Sequence, residues 1–461
     1  MKQLLILIIL PIAVAQCNIE LKAQYFRDNV WVMGMNQLVK NTIIDFQQGQ
    51  FTAVVDSAPV GTPFLTTNTA ISDSFGQLDF YSNGVNVFNR NFAIMANGSN
   101  LSPSSWTTII ANSGAGFIQG VLAIPISNPN FDYYLFHVTN DLYPYAYRPS
   151  VLYYSKINMQ MNNGLGALIT KNDTLINDTL ISTGPVAVRH ANGRDWWLLS
   201  HEWKTNRFYK WIVMPDSISN LMIQDYGPLL NSSSNASDIG QWTFSPDGHK
   251  LAFTYKGILV NNNLPRIIYL MDFNRCTGEI LNYQTLNFID SGYYNAGCCF
   301  SPNSRYLYVT SEWFVYQYDT YASNIQASKT VVGMHDGNSS YGTLPDFFSF
   351  LQNAPDGKIY IASGESATKL HVINSPDSAG FACNIVLRGI DTKQPIAAFA
   401  IPLYPNYNLG AQAGSLCDTL TGIAEQVNHK PLQLSVSPNP VIGDEVMVRY
   451  TLEQNQGGEL K

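Results

Sequence analysis

Apolar and polar residues alternate along most of this chain with the period of two that is typical of β-strands. The clearest example covers residues 241–257, where a short apolar run ends at Phe244 and the turn Ser245-Pro246-Asp247-Gly248 follows. Proline presets φ, aspartate bonds its own backbone and glycine accepts a positive φ, so this turn is tight. The alternation then resumes over residues 251–255. Together these features predict a β-hairpin.

The same hairpin pattern recurs along the chain, which indicates an array of structural repeats. Consecutive copies lie 47 to 63 residues apart, and the aligned turn positions are Asn29, Gly76, Asn130, Gly193, Gly248, Ser304 and Gly357. Around the clearest copy, four strands are predicted at residues 241–244, 250–255, 267–273 and 280–286.

Four strands per unit at this spacing are typical of a β-propeller blade, which must stack on its neighbours to bury both faces. The sequence therefore predicts an all-β fold: a seven-bladed β-propeller of four-stranded blades, within residues 24–410. If the ring closes by sharing a blade, residues 25–33 and a strand at residues 397–403 should lie close together.

The first 15 residues have the pattern of a secretory signal peptide. Lys2 precedes an apolar run, and a small-x-small cleavage site ends at Ala15, so the mature chain is expected to begin at Gln16. Cys17 raises lipidation as an alternative, but Gln16 stands where a small residue is wanted. We find no other apolar stretch of the length that spans a bilayer, so no membrane span is expected.

Composition agrees with an exported all-β protein. Charged residues make up 13% of the chain, about half the usual share, and aromatic residues make up 12%. The net charge is −7 and no basic cluster is present, which argues against nucleic acid as a partner.

Six cysteines are compatible with export, because disulfides persist in oxidising compartments. Cys298 and Cys299 are adjacent in a predicted strand, so they should point to opposite faces as buried apolar side chains. Cys383 and Cys417 flank the last propeller strands, and a bridge between them would fasten the ring.

The sequence pattern of the chain changes near its C-terminus. A linker is predicted over residues 411–430, and a small second β-unit begins at residue 431 and continues to residue 461. Pro438-Asn439-Pro440 is a turn between two alternating strands, near residues 432–437 and 445–452.

This tail resembles the opening of the C-terminal sorting domain of the type IX secretion system, which is found in Bacteroidota. The family's Val-x-Pro-Asn-Pro motif is matched by Val436, Pro438, Asn439 and Pro440. The later strands and the terminal basic segment of that family are missing here. The resemblance implies a partial β-sandwich-type sorting domain and the type IX secretion machinery as a partner.

Residues 25–400 also resemble a family of large secreted Bacteroidota propeller proteins. The matching phrases cover residues 72–101, 153–166, 193–203, 300–310 and 355–362. The resemblance implies that the protein crosses the periplasm and is then secreted or attached to the cell surface at the outer membrane. It implies no particular reaction.

The repeat alignment also predicts a binding rim. Glu202, Glu312 and Glu365 occupy equivalent positions in three repeats, so they should lie at one end of the propeller. His201 precedes the first of them, and Trp203 and Trp313 follow two of them. Carboxylates beside aromatic faces suit an extracellular ligand such as a glycan or a protein, and weakly suit calcium. Solvated turn residues are the alternative interpretation, and no other cofactor or metal is expected.

The chain offers no recognisable catalytic constellation. His190 and His201 lack an HExxH spacing, and Ser245 lacks the GxSxG context of a nucleophile. His137 and His371 lie in or beside strands, which favours a structural, hydrogen-bonded role. The preferred function is a non-catalytic binding or recognition propeller. The alternative is a secreted hydrolase or lyase that acts on polysaccharide or peptide, because propellers host both.

Overall fold

Each repeat of the alternating pattern forms one antiparallel sheet, and seven such sheets follow one another along the described part of the chain. The structure, a computed structural model, describes residues 26–46, 52–55, 61–143, 148–230, 239–256, 264–290, 297–364, 366–418, 435–437, 447–451 and 457–460. The predicted all-β, seven-bladed propeller is confirmed. Three predicted features lie outside the described residues. They are the signal peptide with its cleavage site between Ala15 and Gln16, the rim residue Glu365, and the turn Pro438-Asn439-Pro440.

The first two blades have three described strands each. They are β1 (Val30–Met33), β2 (Thr42–Asp45) and β3 (Thr52–Val55) in the first blade, and β4 (Thr69–Ser72), β5 (Leu78–Ser82) and β6 (Val87–Asn89) in the second.

The other five blades have the four strands that the sequence predicts. They are β7 (Val121–Pro125), β8 (Tyr133–Thr139), β9 (Val151–Asn158) and β10 (Ala167–Asn177); β11 (Val186–Arg189), β12 (Trp196–His201), β13 (Arg207–Val213) and β14 (Met222–Asp225); β15 (Ile239–Phe244), β16 (Lys250–Lys256), β17 (Leu264–Phe273) and β18 (Ile280–Asp290); β19 (Cys298–Phe300), β20 (Tyr306–Thr310), β21 (Phe314–Asp319) and β22 (Thr330–Met334); and β23 (Phe348–Asn353), β24 (Ile359–Ser363), β25 (Ala367–Ile373) and β26 (Ile385–Ile396).

The turn that defines the repeat joins the first and second strands of a blade. In the fifth blade, the Ser245 N–H donates to the Lys250 carbonyl at 2.9 Å, and the Gly248 N–H donates to the Ser245 carbonyl at 2.7 Å. Gly248 has φ +75°, and a Cβ there would come within 2.8 Å of Val188 in the neighbouring blade. Glycine is therefore required both by the turn and by blade packing.

The ring closes at the first blade, which takes its innermost segment from the far end of the chain. β1 runs antiparallel to β4, because the Val30 N–H donates to Ser72 Oγ while Asn68 donates to the Val32 carbonyl. Inner strands run in one direction around a propeller, so β1 corresponds to a second strand. The Asn68 amide also donates to the Ala400 carbonyl at 2.8 Å, which places residues 397–403 on the axial side of β1.

The predicted proximity of residues 25–33 and 397–403 is confirmed, but the predicted strand at residues 397–403 is wrong. The Ala397 N–H donates to the Gly34 carbonyl at 2.9 Å, yet no ladder is formed along the segment. Phe399 adopts φ +63°, which breaks the extended conformation, and Pro402 has no N–H to donate.

The core lies between blades rather than within them. Trp31 of the first blade packs edge-on against Tyr360 of the seventh at 5.5 Å, and Trp197 packs edge-on against Phe273 of the fifth at 6.2 Å. Cys298 and Cys299 are buried in two different clusters, on opposite faces of β19, as predicted. Each blade therefore depends on its neighbours for burial.

After the ring closes, residues 403–418 cross the end of the propeller where the first turns lie, and we call this segment the axial strap. The Asn406 amide donates to the Pro246 carbonyl at 2.9 Å, and the Gln412 N–H donates to the Ala191 carbonyl at 2.8 Å. A disulfide joins Cys417 to Cys276 in the turn after β17. The predicted bridge between Cys383 and Cys417 is therefore wrong, and Cys383 is a buried free thiol.

Helix is almost absent from the described residues. The α-helix α1 (Ser105–Ile109) is capped by Ser104 Oγ, which accepts from the Thr107 N–H at 3.0 Å. Three 3-10 turns cover Asn162–Gly164, Gln326–Ser328 and Gly380–Cys383. Among the described residues, no helix has the length and apolar character to cross a membrane.

A separate three-stranded antiparallel sheet follows in the tail. Its strands are β27 (Ser435–Ser437), β28 (Met447–Thr451) and β29 (Gly457–Leu460). The first two lie within the strand spans expected from the sequence, and Val436 of the sorting motif pairs with Val448. The third strand was not expected.

Candidate functional site

A cavity of about 250 Å³ lies on the propeller axis, beneath the axial strap. The first strands of several blades and the ends of these strands line it, together with the start of the strap. The described lining residues are Asp28, Gln119, Val121, Leu122, Pro185, Val186, Ala187, Val188, Trp242, Thr243, Phe244, Ser245, Pro246, Cys299, Pro302, Gln352, Asn353, Ala354, Pro355, Gly357, Leu403, Tyr404, Pro405, Asn406 and Asn408.

Among the described residues of this lining, Asp28 alone carries a formal charge at neutral pH. In the repeat alignment it stands one position before Asn29, and so corresponds to the turn aspartates Asp247 and Asp356. Asp247 Oδ1 accepts from the His249 N–H at 3.0 Å, and Asp356 Oδ1 accepts from the Lys358 N–H at 3.2 Å. These bonds confirm that the two equivalents serve their own turns.

Asp28 lies in an equivalent turn, because the Asn29 N–H donates to the Phe26 carbonyl at 3.2 Å, but the Val30 N–H donates to Ser72 Oγ and not to the Asp28 carboxyl. Burial raises the pKa of the Asp28 carboxyl to about 6, and a hydrogen bond from its own backbone N–H acts in the opposite direction. In the described part of the chain, no ion pair reaches this carboxyl. It is therefore a desolvated acid that faces an internal space.

Two tyrosines of the strap lie near Asp28. Burial, with the Asp28 charge as the next cause, raises the pKa of both Tyr404 and Tyr407 well above the ordinary value. The Tyr407 hydroxyl donates to the Ala123 carbonyl at 2.9 Å, and the Tyr404 hydroxyl donates to the Asn353 carbonyl at 3.3 Å. Both phenols are therefore neutral anchors of the strap.

Amide side chains supply the remaining polarity of the cavity. Gln352 exchanges bonds with the Tyr404 backbone, since its Oε1 accepts from the N–H at 3.3 Å and its Nε2 donates to the carbonyl at 3.4 Å. Asn353 Nδ2 donates to the Phe300 carbonyl at 2.9 Å, while the buried Asn353 Oδ1 has no hydrogen-bond partner among the described residues. The Asn353 oxygen is closed off from the cavity, so the Asp28 carboxyl is the acceptor that the cavity presents.

The rim residues predicted from the sequence lie elsewhere. Glu202 follows β12 and Glu312 follows β20, so both occupy turns between the second and third strands of their blades. In an antiparallel blade these turns lie at the opposite end from the first turns, which border the axial cavity. Glu202 and Glu312 therefore share one end of the propeller, two blades apart, and the binding role predicted for this rim stays a prediction.

At the fourth blade, the rim consists of His201, Glu202 and Trp203. The Glu202 carboxylate lies 3.5 Å from the Arg207 guanidinium. His201 is buried, its Nδ1 lies 2.6 Å from the Glu202 carbonyl oxygen, and burial lowers its pKa to about 4. The Arg148 guanidinium lies over the Trp203 ring, 3.4 Å from the ring centroid. These contacts hold the tryptophan side chain firmly.

At the sixth blade, the rim is largely buried. Glu312 is 6% exposed, and its carbonyl accepts from the Phe348 N–H at 3.2 Å. Trp313 packs edge-on against Phe347 at 5.0 Å and against His335 at 6.0 Å. The interpretation of these residues as solvated turn residues does not fit Glu312, which the fold covers.

The buried histidines have structural roles, as predicted. His137 lies between two serines, with Nδ1 2.6 Å from Ser102 Oγ and Nε2 2.9 Å from Ser155 Oγ. Burial lowers the pKa of His137 to about 3. A general base that works near neutral pH needs a pKa closer to 7, so this histidine is a poor proton acceptor. His371 Nε2 lies 2.9 Å from the Asp346 carbonyl oxygen. Among the described residues, no three His, Cys, Asp or Glu side chains come together as a metal site.

The axial cavity was not predicted from the sequence, although one signal for it was present. Asp28 repeats the position of Asp247 and Asp356, but no Ser-Pro precedes it and no apolar strand leads into it. The turn is kept at Asp28, but the side-chain hydrogen bond of its equivalents is absent in this blade, which the chain end completes. The strap residues Tyr404 and Tyr407 carried no comparable signal.

No protein-family model matches the chain, and the search of curated proteins returns no relative. Among solved structures, it is similar to a candidate 6-phosphogluconolactonase from Bacteroides uniformis, with 13% identity, a TM-score of 0.46, and coverage of 81% of this chain and 98% of that one. A functionally unknown protein from Desulfotomaculum acetoxidans has 13% identity and a TM-score of 0.40, and the match covers 82% of this chain and 99% of that one. A puromycin-hydrolysing peptidase from Mycobacterium tuberculosis has 11% identity and a TM-score of 0.35, and the match covers 95% of this chain and 54% of that one. None of these likenesses extends a reaction or a ligand to this chain.

Proposed function

We propose that the protein is an exported, non-catalytic recognition propeller that binds its ligand in the axial cavity. The observation that carries this proposal is the cavity lining, in which one carboxyl, that of Asp28, stands among apolar and amide side chains. Such a lining suits binding, because ligand pockets are mostly apolar with a few convergent polar groups.

A hydrolytic function needs more than this lining supplies. Glycosidases use two carboxyl groups about 5 to 10 Å apart across one cleft. Among the described lining residues Asp28 has no carboxyl partner, and no serine or cysteine there is paired with a histidine. The buried contact between His137 and Ser102 lies outside the cavity.

Export is supported by the disulfide between Cys276 and Cys417, since structural disulfides are typical of oxidising compartments. We propose that residues 1–15 direct the chain to the periplasm, and that the tail from residue 431 addresses it to the type IX secretion machinery. The mature protein is then secreted or held at the cell surface.

Glycan and peptide arrays probed with the full chain test the binding function. We expect retention of a ligand that mass spectrometry recovers unchanged after overnight incubation. Appearance of cleaved products would instead establish the hydrolase or lyase alternative.

Export is tested separately in a Bacteroidota host. We expect the surface or medium fraction to hold a chain that begins at Gln16, and to lose it when the type IX machinery is disrupted. A chain that stays in the cytoplasm with its N-terminus uncleaved would contradict the proposed export and would leave the binding proposal unaffected.

A further inference from the structure

The axial cavity has a polarity that selects for one class of ligand. The described lining includes the Asp28 carboxyl and no lysine, arginine or histidine. A ligand that satisfies this carboxyl must donate hydrogen bonds, and a positive charge would compensate the desolvated carboxylate.

The aromatic rings in the lining support the same conclusion. Phe244 and Tyr404 border the cavity and are partly exposed, and aromatic faces attract cations once water is excluded. Elsewhere in this propeller, cationic side chains already lie over such rings: the Arg189 guanidinium is 4.0 Å from the centroid of Trp196. The described lining of the axial cavity offers rings and an acid without a cation of its own.

The size of the cavity limits the ligand. Its volume of about 250 Å³ is below the ~300–1,000 Å³ of pockets that take drug-sized molecules. The axial strap forms one wall of this space, and Tyr404 and Asn406 are bonded to other residues of the lining. A single small group fits, not an oligosaccharide.

We infer that the axial cavity binds a small organic cation, an alkylammonium or guanidinium group, with Asp28 as its counter-ion. This inference rests on the proposed binding function and names its ligand class. The group can belong to a free amine or to the end of a lysine or arginine side chain in a peptide.

Calorimetry on the full chain at pH 7.5 tests the inference, with n-butylammonium and methylguanidinium as probes. Neutral n-butanol and anionic butyrate are matched in size. We expect the two cations to bind and the other two probes to bind at least about tenfold more weakly. Short peptides that contain lysine or arginine, compared with their acetylated or citrulline forms, distinguish a peptide source from a free amine.

The decisive variant is Asp28→Asn, which keeps the shape of the side chain and removes its charge. Cation affinity should fall by about tenfold or more, whereas Asp173→Asn, an exposed aspartate on β10, should leave it unchanged. Equal binding by Asp28→Asn would overturn the inference, and so would absence of cation binding at millimolar concentration.

A pH profile of the unmodified chain keeps the test decisive if Asp28→Asn does not fold. Cation affinity should fall as pH drops through about 6, where the Asp28 carboxyl gains its proton. The ionisable groups on which the Asp28 charge acts are Tyr404 and Tyr407, and their phenols stay neutral between pH 5 and 7.5. An affinity that does not change with pH would contradict the inference. A neutral array ligand that displaces the cation from the cavity would overturn the proposed ligand class but retain the binding function.

Discussion

The side chain of Gln241 bonds to both backbone groups of Leu351, although a whole blade lies between them. Its Nε2 donates to the Leu351 carbonyl at 2.6 Å, and its Oε1 accepts from the Leu351 N–H at 3.0 Å. Gln119 repeats the arrangement with Trp242, at 3.0 and 3.1 Å. These amides supply the hydrogen bonds that innermost strands cannot obtain from a ladder on their axial side. They tie the third blade to the fifth and the fifth to the seventh.

Gln241→Ala should therefore destabilise the ring. The buried N–H and carbonyl of Leu351 would lose their partner, so we expect the free energy of unfolding to fall by about 2 to 4 kcal/mol. Urea denaturation followed by tryptophan fluorescence measures it. The exposed Gln160→Ala is the matched control and should change the value by less than about 0.5 kcal/mol. Equal effects of the two substitutions would show that the cross-axis amide does not stabilise the ring.

Loss of the disulfide should loosen the axial strap. Cys276 and Cys417 are 141 residues apart, and a cross-link over so long a loop is worth about 5 kcal/mol in the chain-entropy account, against a typical value of about 2 to 4 kcal/mol. Cys417→Ser should lower the melting temperature and expose the strap to proteolysis near residues 408–418. Cys383→Ala, which removes a buried free thiol, should leave the strap resistant. Unchanged proteolysis of Cys417→Ser would mean that hydrogen bonds such as that of Tyr407 hold the strap alone.

The Asp28 carboxyl should make the protein less stable as pH rises. Its pKa is about 6 in the folded chain, against 3.8 for an ordinary aspartate, so the folded state binds more protons between those values. Stability therefore falls as pH rises from about 4 through about 6, and the penalty reaches about 3 kcal/mol above the folded-state pKa. Asp28→Asn removes it, so the variant should unfold at a higher temperature than the unmodified chain at pH 7.5 and at an equal temperature near pH 4. A difference that does not vary with pH would assign the effect to packing.

The sequence was sufficient for the blades because each hairpin is specified locally. Gly248 and its turn neighbours carry the geometry in four consecutive residues, and the alternation beyond them sets which face is buried. The features that it did not specify join distant residues. Cys276 finds Cys417 only because the strap crosses the axis, and Asp28 lacks the bond of its equivalents because the Val30 N–H donates to the distant Ser72 Oγ. Phe399 shows the same limit, since nothing local predicts its positive φ.

The last prediction concerns ligand binding at the rim that the repeat alignment predicts. Glu202 and Glu312 lie at the same end of the propeller, opposite the axial cavity, and each is flanked by a tryptophan that packing holds in place. If an array ligand binds there, Glu202→Gln should weaken it by about tenfold, the equivalent of one charge-assisted hydrogen bond. Glu279→Gln is the matched control, because Glu279 is exposed in the turn between β17 and β18, at the opposite end. Glu312→Gln should have a smaller effect than Glu202→Gln, since Glu312 is the more buried of the two. If all three variants bind the array ligand as tightly as the unmodified chain, while Asp28→Asn does not, the ligand occupies the axial cavity and the rim carboxylates serve the fold.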